Sequence, residues 1–355
     1  MSRKPLPADA RDRVASSGVP AVAGAGPVPA GPVPAGPVPA GGPSGTGTAG
    51  AGRQPAPRRP GRNPLARSRA RAGFLMSLPA LVLVAVFFVL PLILVAWMSL
   101  NNWPLIGRAT FIGVQNYSSL AHDKIFGHAL WFTAEYTVIV TPIQIVLGYL
   151  LAVMVRRKLR GVGFFRTVYF MPVVTGFAAT AYVFLVMLTP GVGVVNTVLE
   201  SLGLSNGQTN WLTSPGLALV VAVILITWKT IGIAMILFMA AMQAVPEELY
   251  EAAKVDGAGW WRRESRITVP LIRRTTALVL VLTVAGSFLA FDQFFILTQG
   301  GPNNETLTAV LWIYTTAFVQ YRTGYAGALS IVLLVLLILL SVAQIRTLRR
   351  GDEGS

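Results

Sequence analysis

Six apolar runs, each close to the roughly 20 residues that a helix needs to cross the hydrocarbon core of a bilayer, dominate this 355-residue chain. They lie at 74–100, 129–155, 165–188, 216–242, 276–297 and 327–345. No water is available inside a bilayer to satisfy backbone N–H and C=O groups, so such runs have to fold as helices. The predicted fold class is therefore an all-α membrane protein with six transmembrane helices, spans one to six. Prolines at 79, 91, 142 and 172 fall within these runs and are tolerable there, because neighbouring helices can satisfy the carbonyls they free. Composition agrees: 12% of residues are charged, where a soluble domain carries about 25%. Lipid has to cover much of the surface.

The formal net charge of +15 raises nucleic acid as a partner. The placement of the basic residues excludes it. The loop after span two holds Arg156, Arg157, Lys158 and Arg160, with Arg166 at its edge. The loop after span four holds Lys254, Arg262, Arg263, Arg266, Arg273 and Arg274, and the C-terminal tail Arg346, Arg349 and Arg350. The alternate loops hold only Arg108, Lys124 and Arg322. This is the positive-inside pattern, and it predicts a multi-pass protein with cytoplasmic N and C termini.

Residues 1–73 are rich in Ala, Gly, Pro and Arg and repeat Gly-Pro-Val-Pro-Ala three times between 26 and 40. Such a tract cannot bury a core and is predicted to be a disordered tail with polyproline II character. Its cluster of Arg58, Arg59, Arg62, Arg67, Arg69 and Arg71 abuts span one and reads as a cytoplasmic topogenic signal. The six-helix transmembrane domain is expected over 74–347, with a second cytoplasmic tail at 348–355.

Several chemistries are absent from the sequence. There is no cysteine, so disulfides and thiolate chemistry are excluded. His122 and His128 lie in a polar inter-span segment and read as loop residues, not metal ligands. No Gly-x-x-x-x-Gly-Lys-[Ser/Thr] loop is present to cradle nucleotide phosphates. No catalytic residue, cofactor or metal is expected, and any ATPase has to be a separate chain.

The loop at 246–270 is long, charged and patterned as helix. Pro246 suits a first helical turn, and Glu247 and Glu248 complement the positive helix end. The run Glu-Leu-Tyr-Glu-Ala-Ala-Lys-Val-Asp ends at Asp256 before Gly257, a natural C-terminal stop. A second short helix is predicted from about Trp260 to Ile267, ended by Pro270.

Glu251-Ala252-Ala253, Gly257 after three residues, Ile267 after nine more, then Val269-Pro270, resembles the Glu-Ala-Ala loop of ABC importer permeases. Val269 stands where that pattern has Leu. Weaker matches place the chain near the carbohydrate-uptake branch, of the maltose-type first permease. These are Phe111-Ile112-Gly113 with Asn116-Tyr117, Arg166-Thr167 with Met171-Pro172, and Phe291-Asp292 followed by Leu297-Thr298-Gln299-Gly300-Gly301-Pro302.

The resemblance implies a type I ABC importer permease-like fold in a bacterial cell membrane. It implies that the loop forms a coupling helix docking on an ATPase. On this chain the residues matching that role are Glu248, Glu251, Ala252, Ala253, Asp256, Gly257, Ile267 and Pro270. It further implies a second homologous permease, ABC ATPase subunits, an extracytoplasmic sugar-binding protein and a sugar substrate. The polar loops around 196–211 and 299–325 are the expected docking surface for the binding protein.

Three ionisable residues fall within spans: Glu135, Lys229 and Asp292. A charge at mid-bilayer is costly and normally faces a cavity or a partner. For Lys229 and Asp292 two readings stand. They contact sugar hydroxyls, with Trp228, Phe291 or Tyr182 stacking on the sugar ring, or they pair with each other or with the second permease. Glu135 lies nearer the outer edge of span two, and Gln144 is a further cavity candidate. Two rival functions are an ion-coupled secondary transporter, with Asp292, Glu135 and Lys229 as the relay, and a membrane regulator that only holds an ATPase. The first leaves the 246–270 loop without a role; an ABC permease for a non-sugar substrate is the nearer alternative.

Overall fold

The computed structural model describes residues 64–104, 107–156 and 161–353. The tail up to residue 63, with its repeats and Arg58, Arg59 and Arg62, lies outside the described residues, as do Arg157, Lys158 and Arg160. Helix begins at Pro64, earlier than the expected boundary at 74. Pro64 occupies a first helical position, where its missing N–H costs nothing, and the Leu, Ala and Arg residues after it favour helix.

Among the described residues, five helices are long and apolar enough to cross a membrane: Phe74–Ser99, Lys124–Arg156, Pro215–Gln243, Arg273–Leu297 and Thr323–Thr347. They are spans one, two, four, five and six. Span three is not the single helix expected. It is a pair, Val162–Val174 and Phe177–Met187, bent by 98°. Loops 101–111 carry the only strands among the described residues, the antiparallel pair Asn101–Asn102 and Thr110–Phe111.

Span two packs along span four and against span five, the first half of span three packs on span four, and span six packs on span one. Helices in lipid gain little from apolar burial against each other, so close fit has to hold them. Phe132 and Tyr136 of span two set their rings edge-on to Phe294, with centroids 5.3 and 5.1 Å away. Gly232 of span four lets span three approach closely: a Cβ there would sit 2.6 Å from the Tyr169 carbonyl oxygen.

Ala85–Val89 and Glu264–Thr268 are π-turns, and each is followed two residues later by a proline, Pro91 and Pro270. A proline ring inside an α-helix clashes with the carbonyl four residues back, and the wider turn moves that carbonyl aside. Pro270 therefore does not end the second loop helix as expected. That helix continues to Leu271, and the break comes at Ile272.

The two loops expected as a docking surface also differ from expectation. Within 299–325 an apolar helix, Ala309–Val319, is too short to cross and buries Leu311, Trp312 and Thr316. It is fixed by Thr308, whose hydroxyl caps it at Leu311 N (3.2 Å) and donates to the Ala290 carbonyl at 2.8 Å. In 196–211, Asn196 is fully buried; it donates to the Leu188, Thr189 and Thr209 carbonyls and accepts from Trp211 Nε1 at 2.9 Å. It is the knot of that loop, not part of its surface.

Candidate coupling loop and transport path

The loop helix forms as Glu247–Val255, with Pro246 in the extended cap position. Glu247 and Glu248 sit in its first turn and Lys254 in its last, each opposite in sign to its end of the helix dipole. Gly257 is left-handed, with φ +72°. Its N–H reaches the Lys254 carbonyl at 3.0 Å and that of Ala258 reaches Ala253 at 2.8 Å, the paired bonds of a Schellman cap. The helix projects: Glu248, Glu251, Ala252 and Asp256 are exposed and Val255 is 89% exposed. Ala253 and Ile267 are half-buried and Pro270 is exposed.

Tyr250 alone of the larger side chains on that helix turns inward, and it enters a polar cluster. Its hydroxyl accepts from Arg156 Nη1 at 3.2 Å and shares a 2.9 Å hydrogen bond with Thr268 Oγ1. Arg156 also lies over the Tyr250 ring at 5.1 Å and bonds Glu264 Oε1 through Nη2 at 3.0 Å. Tyr149 donates to the other Glu264 oxygen at 2.8 Å. None of these four partners was singled out from sequence as acting together. Arg156 was counted only as loop charge, and nothing in the spacing places Glu264 under the end of span two.

Span three breaks because its helix stops at Val174, where Thr175 and Gly176 take extended conformations (ψ 150° and 140°). Pro172 already weakens the last turn, and Thr175 Oγ1 folds back to donate to the Pro172 carbonyl at 2.7 Å. A helix ending inside a membrane leaves carbonyls without donors. Lys229, midway along span four and 2% exposed, supplies them. Its Nζ donates to the Pro172 carbonyl at 3.0 Å and the Thr175 carbonyl at 2.5 Å, and it lies 4.7 Å over the Phe177 ring. The expected pairing with Asp292 is therefore absent. A cation at a helix C-terminus satisfies both the carbonyls and the dipole.

Asp292 is exposed, in the first turn of the short helix Asp292–Leu297 that completes span five. Beside it runs an aromatic ladder. Phe291 stacks on Phe295 with centroids 5.1 Å apart, both contact Tyr314 at 5.1 and 5.2 Å, and Tyr314 contacts Phe318 at 5.2 Å. Phe295 and Phe318 are exposed. Sequence reasoning named Phe291 but missed Phe295, Tyr314 and Phe318. The signal was present, since each helix contributes two rings four positions apart, which share a face.

Tyr182 is exposed on the second half of span three, the helix that packs against Asp292–Leu297. Trp228 lies between two almost wholly apolar grooves, one floored by Tyr169 and Pro172 and the other by Thr175, Phe184 and Met187. Gln144 is buried and donates to Thr230 Oγ1 at 2.7 Å, fastening span two to span four. Glu135 is exposed on the same side of span two as Trp131 and Val138.

The opposite end of span two carries a second polar cluster. Asp123 Oδ1 accepts from the Ile125 and Phe126 N–H groups at 2.9 and 3.0 Å and so caps the helix. Its Oδ2 accepts from Tyr325 at 2.7 Å and Trp312 Nε1 at 3.2 Å, binding spans two and six to the helix Ala309–Val319. Burial alone would raise the Asp123 carboxyl. The donors, led by Tyr325, outweigh it and hold the group below its ordinary value.

Five long apolar helices, a bent helix pair and a projecting, capped loop helix among the described residues fit a multi-pass membrane protein. A family model described as "Binding-protein-dependent transport system inner membrane component" matches residues 144–349. The chain belongs to this family of ABC transporter permeases, as a transport subunit and not an enzyme. It is 34% identical over 283 residues to the probable ABC transporter permease protein YurN of Bacillus subtilis (strain 168), covering 79% of this chain and 97% of YurN. It is also 34% identical over 290 residues to the lactose transport system permease protein LacF of Rhizobium radiobacter, covering 80% and 96%. Its fold resembles a chain of a solved bacterial alginate ABC transporter in complex with an alginate pentasaccharide-bound periplasmic protein. The TM-score is 0.72 at 23% identity, over 81% of this chain and 96% of that one.

Proposed function

We propose that this chain is the sugar-conducting permease subunit of an ATP-driven importer, coupled to separate ATPase chains through the helix Glu247–Val255. The observation that carries the coupling is that helix itself: it projects with Glu248, Glu251, Ala252 and Asp256 exposed and is closed at its C-terminal end by the Schellman cap. Ala252 and Ala253 allow close backbone approach by a partner, Glu251 offers charge to basic groups, and Gly257 sets the turn into Ile267 and Pro270. The bias of Lys and Arg supports a cytoplasmic place for this loop and for both termini.

The permease would act with a second homologous permease, ABC ATPase subunits and an extracytoplasmic sugar-binding protein. ATP binding closes the ATPase pair, the loop helices carry that motion into the spans, and the path opens alternately to each side. For the path, the ladder of Phe291, Phe295, Tyr314 and Phe318 offers flat faces to the apolar faces of sugar rings, and exposed Asp292 accepts from hydroxyls. Tyr182 stands on the neighbouring helix. Lys229 is committed to the carbonyls of span three and so shapes the path without lining it, whereas Gln144, bonded to Thr230, borders a groove with Phe177 and Ser287. The name of the lactose permease relative supports sugar as the substrate class.

The test is a mild-detergent pull-down from native membranes, with wild type beside Gly257→Pro. Proline cannot take φ +72°, so the variant breaks the cap without touching a span. Wild type is expected to retain an ATPase and a second permease, and the variant to stay inserted but lose the ATPase. Wild type purifying with no ATPase would overturn the proposal.

A further inference from the structure

We infer that Arg156 and Glu264, with Tyr149 and Tyr250, form a clamp that joins the coupling helix to span two, so that the two move as one body during transport. The inference rests on the coupling role proposed for Glu247–Val255, and adds the residues through which that helix would act.

Chain connectivity ties the helix to span four on one side and, through the second loop helix, to span five on the other. Nothing in connectivity ties it to span two. The polar cluster does. Arg156 is the last residue of the span-two helix and Tyr149 lies two turns earlier on it. Glu264 and Thr268 bound the π-turn of the second loop helix, and Tyr250 belongs to the coupling helix itself. One carboxylate thus takes bonds from two positions on span two, at 3.0 and 2.8 Å, while one guanidinium reaches both loop helices.

The burial of the cluster makes it hard to break. The Glu264 side chain is 5% exposed and that of Arg156 is 25% exposed. Opening the pair leaves a buried carboxylate without its countercharge, which is strongly unfavourable, whereas moving all its members together costs nothing. Glu264 and Thr268 lie four positions apart and so share one face of the second loop helix, on which both are buried.

Span two then passes the motion on. It packs along span four, and its Phe132 and Tyr136 rings press on Phe294, one residue from Phe295 of the aromatic ladder. A displacement at the coupling helix would reach the proposed sugar path along span two as well as along span five.

The chain has no cysteine, so paired spin labels can be placed without background. Val255→Cys on the coupling helix and Met154→Cys on span two are both exposed positions, at 89% and 66%. The distance between them is measured by pulsed dipolar spectroscopy in the full detergent-purified complex, without nucleotide and after trapping with ADP and vanadate. In the otherwise wild-type protein the peak is expected to stay sharp and to shift by less than about 2 Å, the scale of small packed-helix adjustments. Adding Glu264→Ala or Arg156→Ala is expected to broaden it and let it shift further between states. The double variant is expected to be no worse than either single one, because the two side chains act as a unit.

A sharp, state-independent peak in the variants would overturn the clamp, and so would a peak that moves between states with the pair intact. A merely stabilising pair would lower yield and leave the peak widths unchanged. If Glu264→Ala does not reach the membrane, Tyr250→Phe removes a single hydroxyl and is expected to broaden the same peak. A complex that lacks an ATPase would sink the coupling role of the helix, while the nucleotide-free peak widths would still decide whether the clamp exists.

Discussion

Two charged clusters in this molecule are built on opposite principles. At mid-membrane, Lys229 meets the main-chain carbonyls of Pro172 and Thr175. At the arginine-rich face, Glu264 meets only side chains, Arg156 and Tyr149. A cation bonded to backbone fixes one backbone shape, here the break of span three, with two of its three donors taken by carbonyls. A carboxylate bonded to side chains joins separate elements without fixing the shape of any of them. The first arrangement builds a static feature of the path, and the second suits a linkage that has to travel.

The largest expected effect breaks the static side of the comparison. Lys229→Met keeps the length of the side chain but leaves the Thr175 carbonyl unsatisfied in the membrane interior and takes one donor from the Pro172 carbonyl, costing about 3 kcal/mol. Thermal unfolding in detergent reads this as a lowered midpoint. An unchanged midpoint would mean that water or lipid headgroups satisfy the break instead.

Asp123 sharpens the comparison, because its carboxylate also joins separate elements but uses neutral donors and a helix cap. Asp123→Ala removes the cap and strands Trp312 and Tyr325, for an expected loss of about 2 kcal/mol. Since its folded pKa is depressed, the Asp123 contribution is fully present above the unfolded carboxylate value of about 4 and fades as pH falls through the lower folded value. The gap in thermal midpoint between wild type and Asp123→Asn is thus expected to hold steady above about pH 5 and to close below about pH 4. A gap that widens on acidification would contradict the assignment.

Gln144→Leu tests a neutral fastening between spans two and four. One hydrogen bond is lost and apolar contact is gained, so the change in stability is expected to stay within about 1 kcal/mol by the same midpoint measurement. Asp292→Asn is expected to move stability least, by under about 0.5 kcal/mol, because the carboxylate is exposed. It is nonetheless expected to weaken sugar uptake in vesicles. Unimpaired uptake would remove Asp292 from the proposed path and leave the ladder to act through stacking alone.

Much of the architecture was legible along the chain. The hydrophobic runs are contiguous and near bilayer length, so the crossings could be placed without knowledge of their neighbours. The loop helix Glu247–Val255 was equally legible, since its signals, from Glu247 to Gly257, are all local. The break in span three was less so. Met-Pro and Thr-Gly were visible, but proline is tolerated in membrane helices, and only Lys229 arriving from span four makes a full break at Thr175 affordable. The second loop helix misled for a related reason: Pro270 reads as a terminator, yet the π-turn before it accommodates the ring. The ladder was half visible, because Phe291 and Phe295 lie on a different segment from Tyr314 and Phe318.

By itself, then, the sequence determined the crossings and the loop helix Glu247–Val255 with its cap, because each depends on residues within a few turns of one another. The tertiary structure decided what the charges do. Lys229, Asp123, Arg156 and Glu264 find partners between 54 and 202 positions away along the chain. No local pattern encodes such pairings. They follow from how the helices pack, and a buried charge takes whichever satisfying group that packing brings to it.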